Sequence, residues 1–220
     1  KFSDGEPLDA EAVKYNFDRN LNLQGSLRRT ELISVKSVEA VDPVTVKVDL
    51  KSKATDNGED YWQVNPRGQV PSLKLDDGSV LTEGPAIVQY LADKKPDAKL
   101  APANGTVERY HLQEWLNYLT SEVHKTFSPL FAPDTPADYK EIAIKKLNKQ
   151  FAFIEKRLDA SAYLAGDSFS VADAYLFTLT NWARAVHIDL SPYPKLLAYR
   201  KRISERPAVQ AAMKHEGLIK

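Results

Sequence analysis

The chain has 220 residues, no cysteine, and 30 basic residues against 30 acidic ones, so its formal net charge is zero. These numbers exclude disulfides, cysteine-rich metal sites and a thiol nucleophile of its own, and give no global field for nucleic acid or an anionic membrane. No apolar run approaches membrane-spanning length, so a soluble globular chain of one large or two small domains is expected.

The chain opens "KFSDGEP", without an initiator Met or a signal peptide, as a fragment or a processed chain does. Asp9 then suits an N-cap, and Val13, Tyr15–Phe17 and Leu21 give a rough apolar face to a first helix. Two alternating runs, "ISVKSVEAV" and "VTVKVDL", flank Asp42-Pro43 and read as a β-hairpin. A polar, loop-like stretch follows, with a short helical turn expected at "EDYWQ". "VPSLKL" and "SVLTE" flank Asp76-Asp77-Gly78, the strongest hairpin signal in the chain. Pro71 lacks a backbone donor, so it belongs at a strand start, an edge or a bulge, and its neighbours' backbone groups are free for something other than sheet.

"GPAIVQYLADKK" reads as a helix with Pro85 in its first turn, where a missing N–H costs little. The turn-rich "KPDAKLAPANG" is the expected domain boundary. Beyond it, Leu112, Trp115, Leu116, Leu119, Val123 and Phe127 mark one long amphipathic helix, and Ile144, Leu147, Phe151, Ile154 and Leu158 mark the next. "FSVADAYLFTLTNWARAV" is apolar all round, as a central bundle helix is, and Ser170 with Asp173 fits a capping box at its start. Two shorter helices end near Pro207 and Gly217. His111, His187 and His215 show no metal-ligand spacing.

From about residue 45 to 220 the chain resembles bacterial glutathione transferases of the beta class, through "NPRGQVP", "LTEGPAIVQYLAD", "ERYHLQEWLNY", "EVHKTFSPLF" and "FSVADAYLF" in that order. Residues 1–50, "KFSDGEPLDAEAVKYNFDRNL" with "RRTELISVKSVEAVDPVTVKVDL", are similar instead to a segment of periplasmic peptide-binding proteins of ABC transporters. The two resemblances overlap at "VKVDL", so a chimera joined near residues 44–52 is expected. The domains expected are a helix plus hairpin over 1–50, the rest of a glutathione-binding domain over 45–94, and an all-helical domain over 105–220. The implied fold class is an α/β, thioredoxin-like N-terminal domain with its first strand–helix unit replaced, plus an all-α C-terminal bundle.

The resemblance implies a glutathione site. Val70 would pair its backbone with the cysteinyl part of the ligand like an added strand, and Pro71 would be the cis proline that turns those groups outward. Glu83 and Gly84 would hold the γ-glutamyl end at a helix N-terminus, with Lys53 and Gln69 near the glycine end and backbone. Arg109 and Asn117 match positions that reach towards the site across a dimer interface or from the helical domain. His124 and Lys125 match a pair lining the co-substrate cleft, with Phe127 and Trp182 as its apolar wall. Each has a plainer alternative: an edge strand at Val70, a helix-start charge at Glu83, a solvated face for His124-Lys125, core packing for the aromatics.

Conjugation needs a thiolate of glutathione. In the family a Cys, Ser or Tyr of the first strand–helix unit hydrogen-bonds that sulfur, but here the transporter-like segment stands in place of that unit. No replacement for that group is evident. Three readings follow: a dimeric, cytoplasmic transferase for small apolar electrophiles, a glutathione-binding scaffold with little turnover, and a fragment of a peptide-binding transport protein. No partner among membranes or nucleic acids, and no metal, is expected. For the N-terminal fold, "ISVKSVEAV" filling the vacant centre of a sheet beside "VPSLKL" in reversed direction is one expectation; poor packing of the first fifty residues is its rival.

Overall fold

The computed structural model describes residues 9–22, 35–42, 45–50 and 58–219. They divide into two compact units, Lys1–Glu83 and Gly84–Lys220. In the first, α1 (Ala10–Asn22) starts where Asp9 Oδ1 accepts the Ala12 N–H at 2.9 Å. It lies against the hairpin of β1 (Val35–Asp42) and β2 (Thr45–Leu50), burying Ala10 and Val38. α2 (Tyr61–Val64) is one turn, capped by Asp60 at the Trp62 N–H. β3 (Ser72–Lys74) and β4 (Val80–Thr82) pair antiparallel around Asp76-Asp77-Gly78, where Gly78 takes φ 84°. Asp77 accepts both the backbone and the hydroxyl of Ser79, which holds its carboxyl below the usual carboxylate range.

One expectation fails. Among the described residues β1 is hydrogen-bonded to β2 alone and β3 to β4 alone, so "ISVKSVEAV" does not fill a central position beside "VPSLKL". A hairpin closes on its nearest sequence neighbour at small loop entropy, whereas joining β3 requires a longer closure.

The second unit is helical: α3 (Gly84–Lys94), α4 (Val107–Tyr118), α5 (Lys125–Phe131), α6 (Ala137–Ala160), α7 (Val171–Ala185), α8 (Pro194–Ser204) and α9 (Pro207–His215). α3 contacts α4 and α7, and the core runs from Ala92 through Leu112, Phe151, Leu176 and Leu196 to Ile203. α7 is buried along most of its length, as its apolar sequence predicts, and the Ser170/Asp173 capping box is formed. Asp173 goes further than a cap: it also accepts the Leu164 N–H and the Tyr199 hydroxyl, both at 2.9 Å. Burial pushes its carboxyl up, while these four donors oppose that shift.

The long helix expected over 107–127 is not uniform. Between α4 and α5 the residues Leu119–His124 form π-helical turns. Here the Thr120, Ser121 and Thr126 hydroxyls bond the carbonyls of Leu116, Asn117 and Glu122, competing with backbone amides for the same acceptors. Pro129 inside α5 removes a further donor.

Candidate functional site

In the first unit the chain from Asn65 to Pro71 is fixed by side chains rather than by sheet. Buried Asn65 accepts the Arg67 N–H at 3.1 Å and donates to the Gln69 carbonyl at 2.7 Å. The Tyr61 hydroxyl donates to the same carbonyl at 2.7 Å and lies 2.7 Å from Ser72 Oγ. Gly68 sits at φ 61° beneath the Trp62 ring, where an added Cβ would come within 2.5 Å of the indole. Two donors thus hold Gln69 by its carbonyl, and the next residue is left outside.

That residue is Val70, 72% exposed and joined to Pro71 by a cis peptide. Among the described residues neither its N–H nor its C=O has a hydrogen-bond partner. Glu83 stands at φ 69°, a left-handed backbone that costs a residue other than Gly roughly 1–3 kcal/mol and concentrates at ligand-holding positions. Its carboxylate accepts Arg67 Nη1 at 2.8 Å, while Arg67 Nη2 donates to Thr82 Oγ1 at 2.6 Å. Both partners are more than half exposed, so the pair contributes about 0–1 kcal/mol and yields readily to a ligand cation. Gly84 is the first residue of α3. Lys53 lies outside the described residues.

The second unit carries a different cluster. His124 ends the π-helical turns, and its Nδ1 lies 2.6 Å from the Tyr175 hydroxyl on α7. Its ring meets Trp182 edge-on, 4.7 Å between centroids, and Phe127 and Phe131 pack on Trp182 at 5.8 and 5.6 Å. Burial, and secondarily the Lys125 charge, hold the His124 pKa below its ordinary 6.5, so the neutral imidazole is favoured. Phe127 is fully buried and belongs to the core; Phe131, not anticipated from the sequence, is the exposed ring of the group.

The remaining expected residues do not join this cluster. Arg109 is buried at 3% exposure and forms a two-pronged ion pair with Asp93, at 2.9 and 2.7 Å. Its other donors reach Gln89 Oε1 and the Pro102 carbonyl, so the guanidinium ties α4 to α3 and holds the Asp93 carboxyl down. Asn117 is exposed on α4, and Lys125 is exposed on a face turned from His124. Arg67, Thr82, Tyr61 and Tyr175 went unnominated by sequence reasoning, although Arg67 sits inside "NPRGQVP". Among the described residues no group of three or more His, Asp or Glu is placed to hold a metal, and no helix is long and apolar enough to cross a membrane.

A family model described as "Glutathione S-transferase, C-terminal domain" matches residues 118–207, and one described as "Bacterial extracellular solute-binding proteins, family 5 Middle" matches residues 1–107. The glutathione S-transferase GstA of Escherichia coli O157:H7 is 48% identical over 177 residues, 80% of this chain and 88% of the relative. A ternary complex of BphK, a bacterial transferase, superposes with a TM-score of 0.74 at 53% identity, covering 76% of this chain and 83% of the other. A sphingomonad glutathione S-transferase complexed with glutathione gives 0.73 at 48% identity, over the same shares.

Proposed function

The chain belongs to the glutathione S-transferases, with their fold, and from that membership we propose that it binds glutathione and joins its sulfur to small apolar electrophiles. The observation that carries the reading is the exposed, unpartnered Val70 backbone beside cis-Pro71, close in sequence to an acid in left-handed conformation at the start of α3. Val70 receives the cysteinyl backbone as an added strand, and Glu83 accepts the γ-glutamyl ammonium in place of Arg67. The Gly84 end of α3 favours the ligand's α-carboxylate, and Lys53 and Gln69 serve its glycine end. Arg109 supports the site by holding α3 to α4, and Asn117 adds a polar contact. The sphingomonad relative is complexed with glutathione, which supports this ligand.

The chemistry is substitution. The glutathione sulfur, as thiolate, forms a bond to an electrophilic carbon while a leaving group such as halide departs with the bonding electrons; the thiol proton goes to water. The electrophile's apolar body rests against Trp182 and Phe131, with Phe127 as core support. His124, favoured as the neutral imidazole, supplies hydrogen-bonding character at this cleft, while Lys125, which lines a different face with residues of α6, takes no part in it. The functional form proposed is a cytoplasmic homodimer. For its domains we propose residues 1–50, 45–94 and 105–220.

A second reading has one specific observation in its favour. The chain has no cysteine, and residues 1–107 match a solute-binding model, so the proposed chimera lacks the family's strand–helix unit that activates the thiol. It then acts as a glutathione-binding scaffold with slow turnover. Calorimetry with glutathione, followed by conjugation of an aryl halide in the same sample, separates the readings. Heat of binding with turnover supports the transferase, binding alone supports the scaffold, and no binding overturns both.

A further inference from the structure

Two rings of α7 meet the same histidine. Tyr175 and Trp182 are two helical turns apart and so share a face of α7. The His124 ring meets both, at centroid distances of 5.9 and 4.7 Å. Its Nδ1 lies 2.6 Å from the Tyr175 hydroxyl, whereas its Nε2 has no hydrogen-bond partner among the described residues. Thr120, in the same π-helical turns as His124, brings its Oγ1 to 3.4 Å from that hydroxyl.

The protons of this group can be placed. The Thr120 hydroxyl donates to the Leu116 carbonyl at 2.9 Å, and a carbonyl only accepts, so that proton is committed. Of Thr120 and His124, the histidine nitrogen is much the nearer acceptor for the Tyr175 proton. A phenol is a more acidic donor than a neutral imidazole N–H, and an imidazole nitrogen is a more basic acceptor than a phenol oxygen. The short contact is therefore stronger as O–H···N than as N–H···O. A neutral imidazole that accepts at Nδ1 carries its proton on Nε2. Burial, which favours the neutral ring, agrees with this assignment.

We propose that Tyr175 is a positioning residue: it fixes the Nε2-protonated tautomer of His124, so that Nε2–H is the donor offered to the glutathione thiolate. The inference deepens the glutathione reading and rests on it for the identity of the acceptor. In the other tautomer Nε2 holds a lone pair, which repels a thiolate. The ring neither gains nor loses a proton in this role; its fixed N–H dipole stabilises the anion. The π-helical turns contribute by bringing Thr120 and His124 together on one hydroxyl of α7.

The test is Tyr175→Phe in the intact chain, which removes the hydroxyl and keeps the ring. Long-range proton–nitrogen NMR on the neutral ring should show a bare Nδ1 and a protonated Nε2 in the unmutated protein, and a mixture of tautomers in the variant. The ionisation constant of the bound glutathione thiol, read from thiolate ultraviolet absorbance, should fall about tenfold in the variant. S-methylglutathione, which has no thiol to ionise, should bind both proteins equally in calorimetry. A protonated Nδ1 in the unmutated protein, a tautomer indifferent to Tyr175→Phe, or an unchanged ionisation constant overturns the proposal. So does an equal loss of S-methylglutathione affinity, because the hydroxyl then only shapes the site. If the unmutated protein gives no heat with glutathione, the glutathione reading fails on its own, and the nitrogen signals decide whether Tyr175 sets the tautomer.

Discussion

Arg67 and Glu83 meet at 2.8 Å across the tip of the first unit, and a ligand ammonium must replace that contact to reach the carboxylate. Glu83→Gln keeps the shape and removes the charge, so glutathione affinity should fall about tenfold, read by calorimetry. An unchanged dissociation constant would place the γ-glutamyl end elsewhere. His124 makes a pH prediction. Its folded pKa lies below 6.5, so the stability it contributes is complete above the unfolded value and is lost as pH falls through the folded one. A titration of its ring protons by NMR should give a midpoint under 6.5, and a midpoint above 6.5 would contradict the burial on which the cluster rests. At this scale the cis bond before Pro71 was legible because one motif carries it. The Arg67 contact with Glu83 was not, since it joins residues 16 apart through a hairpin whose register sequence does not display. Tyr175 meets His124 over 51 residues, a meeting set by how α7 packs against the π-helical turns.

At the scale of elements, the start of α7 is held by Asp173, whose two oxygens accept from Ser170, Leu164 and Tyr199. Asp173→Ala strands these buried donors and should cost about 3 kcal/mol, measured by urea unfolding. A loss under about 1 kcal/mol would mean water replaces the carboxylate. Gly68 is the corresponding point in the first unit. Gly68→Ala forces a Cβ into the Trp62 ring at a positive φ, so it should weaken glutathione binding while leaving the helical signal intact. The capping box and the Asp-Gly hairpin were legible because local side chains decide them. The π-helical turns were not: apolar periodicity near 3.6 tolerates a local widening, and only the hydroxyls of Thr120, Ser121 and Thr126 hinted at competition for the carbonyls.

Across the whole molecule, stability is unevenly shared. The buried apolar cluster that includes Leu112, Phe151, Leu176 and Tyr199 lies in the second unit, whereas the first buries Ala10, Val38 and Tyr61 among its described residues. At about 2 kcal/mol for each buried large side chain, the helical unit holds far more of the hydrophobic stabilisation. Amide hydrogen exchange should show α7 and α6 protected longest and the β3–β4 hairpin exchanging first; equal protection would contradict this division. The helical periodicity after residue 105 was legible, but the two units divide at Glu83/Gly84 rather than there, because α3 packs on α4 and α7. That β1 pairs with β2 alone among the described residues was not legible, because strand order in a sheet depends on long-range partners. Glutathione binding and transfer are read together by calorimetry of glutathione with the intact chain, followed by aryl halide conjugation in the same cell. A single glutathione site that Glu83→Gln weakens is expected, with thioether product formed from the halide; no heat of binding in the unmutated protein would overturn the glutathione reading.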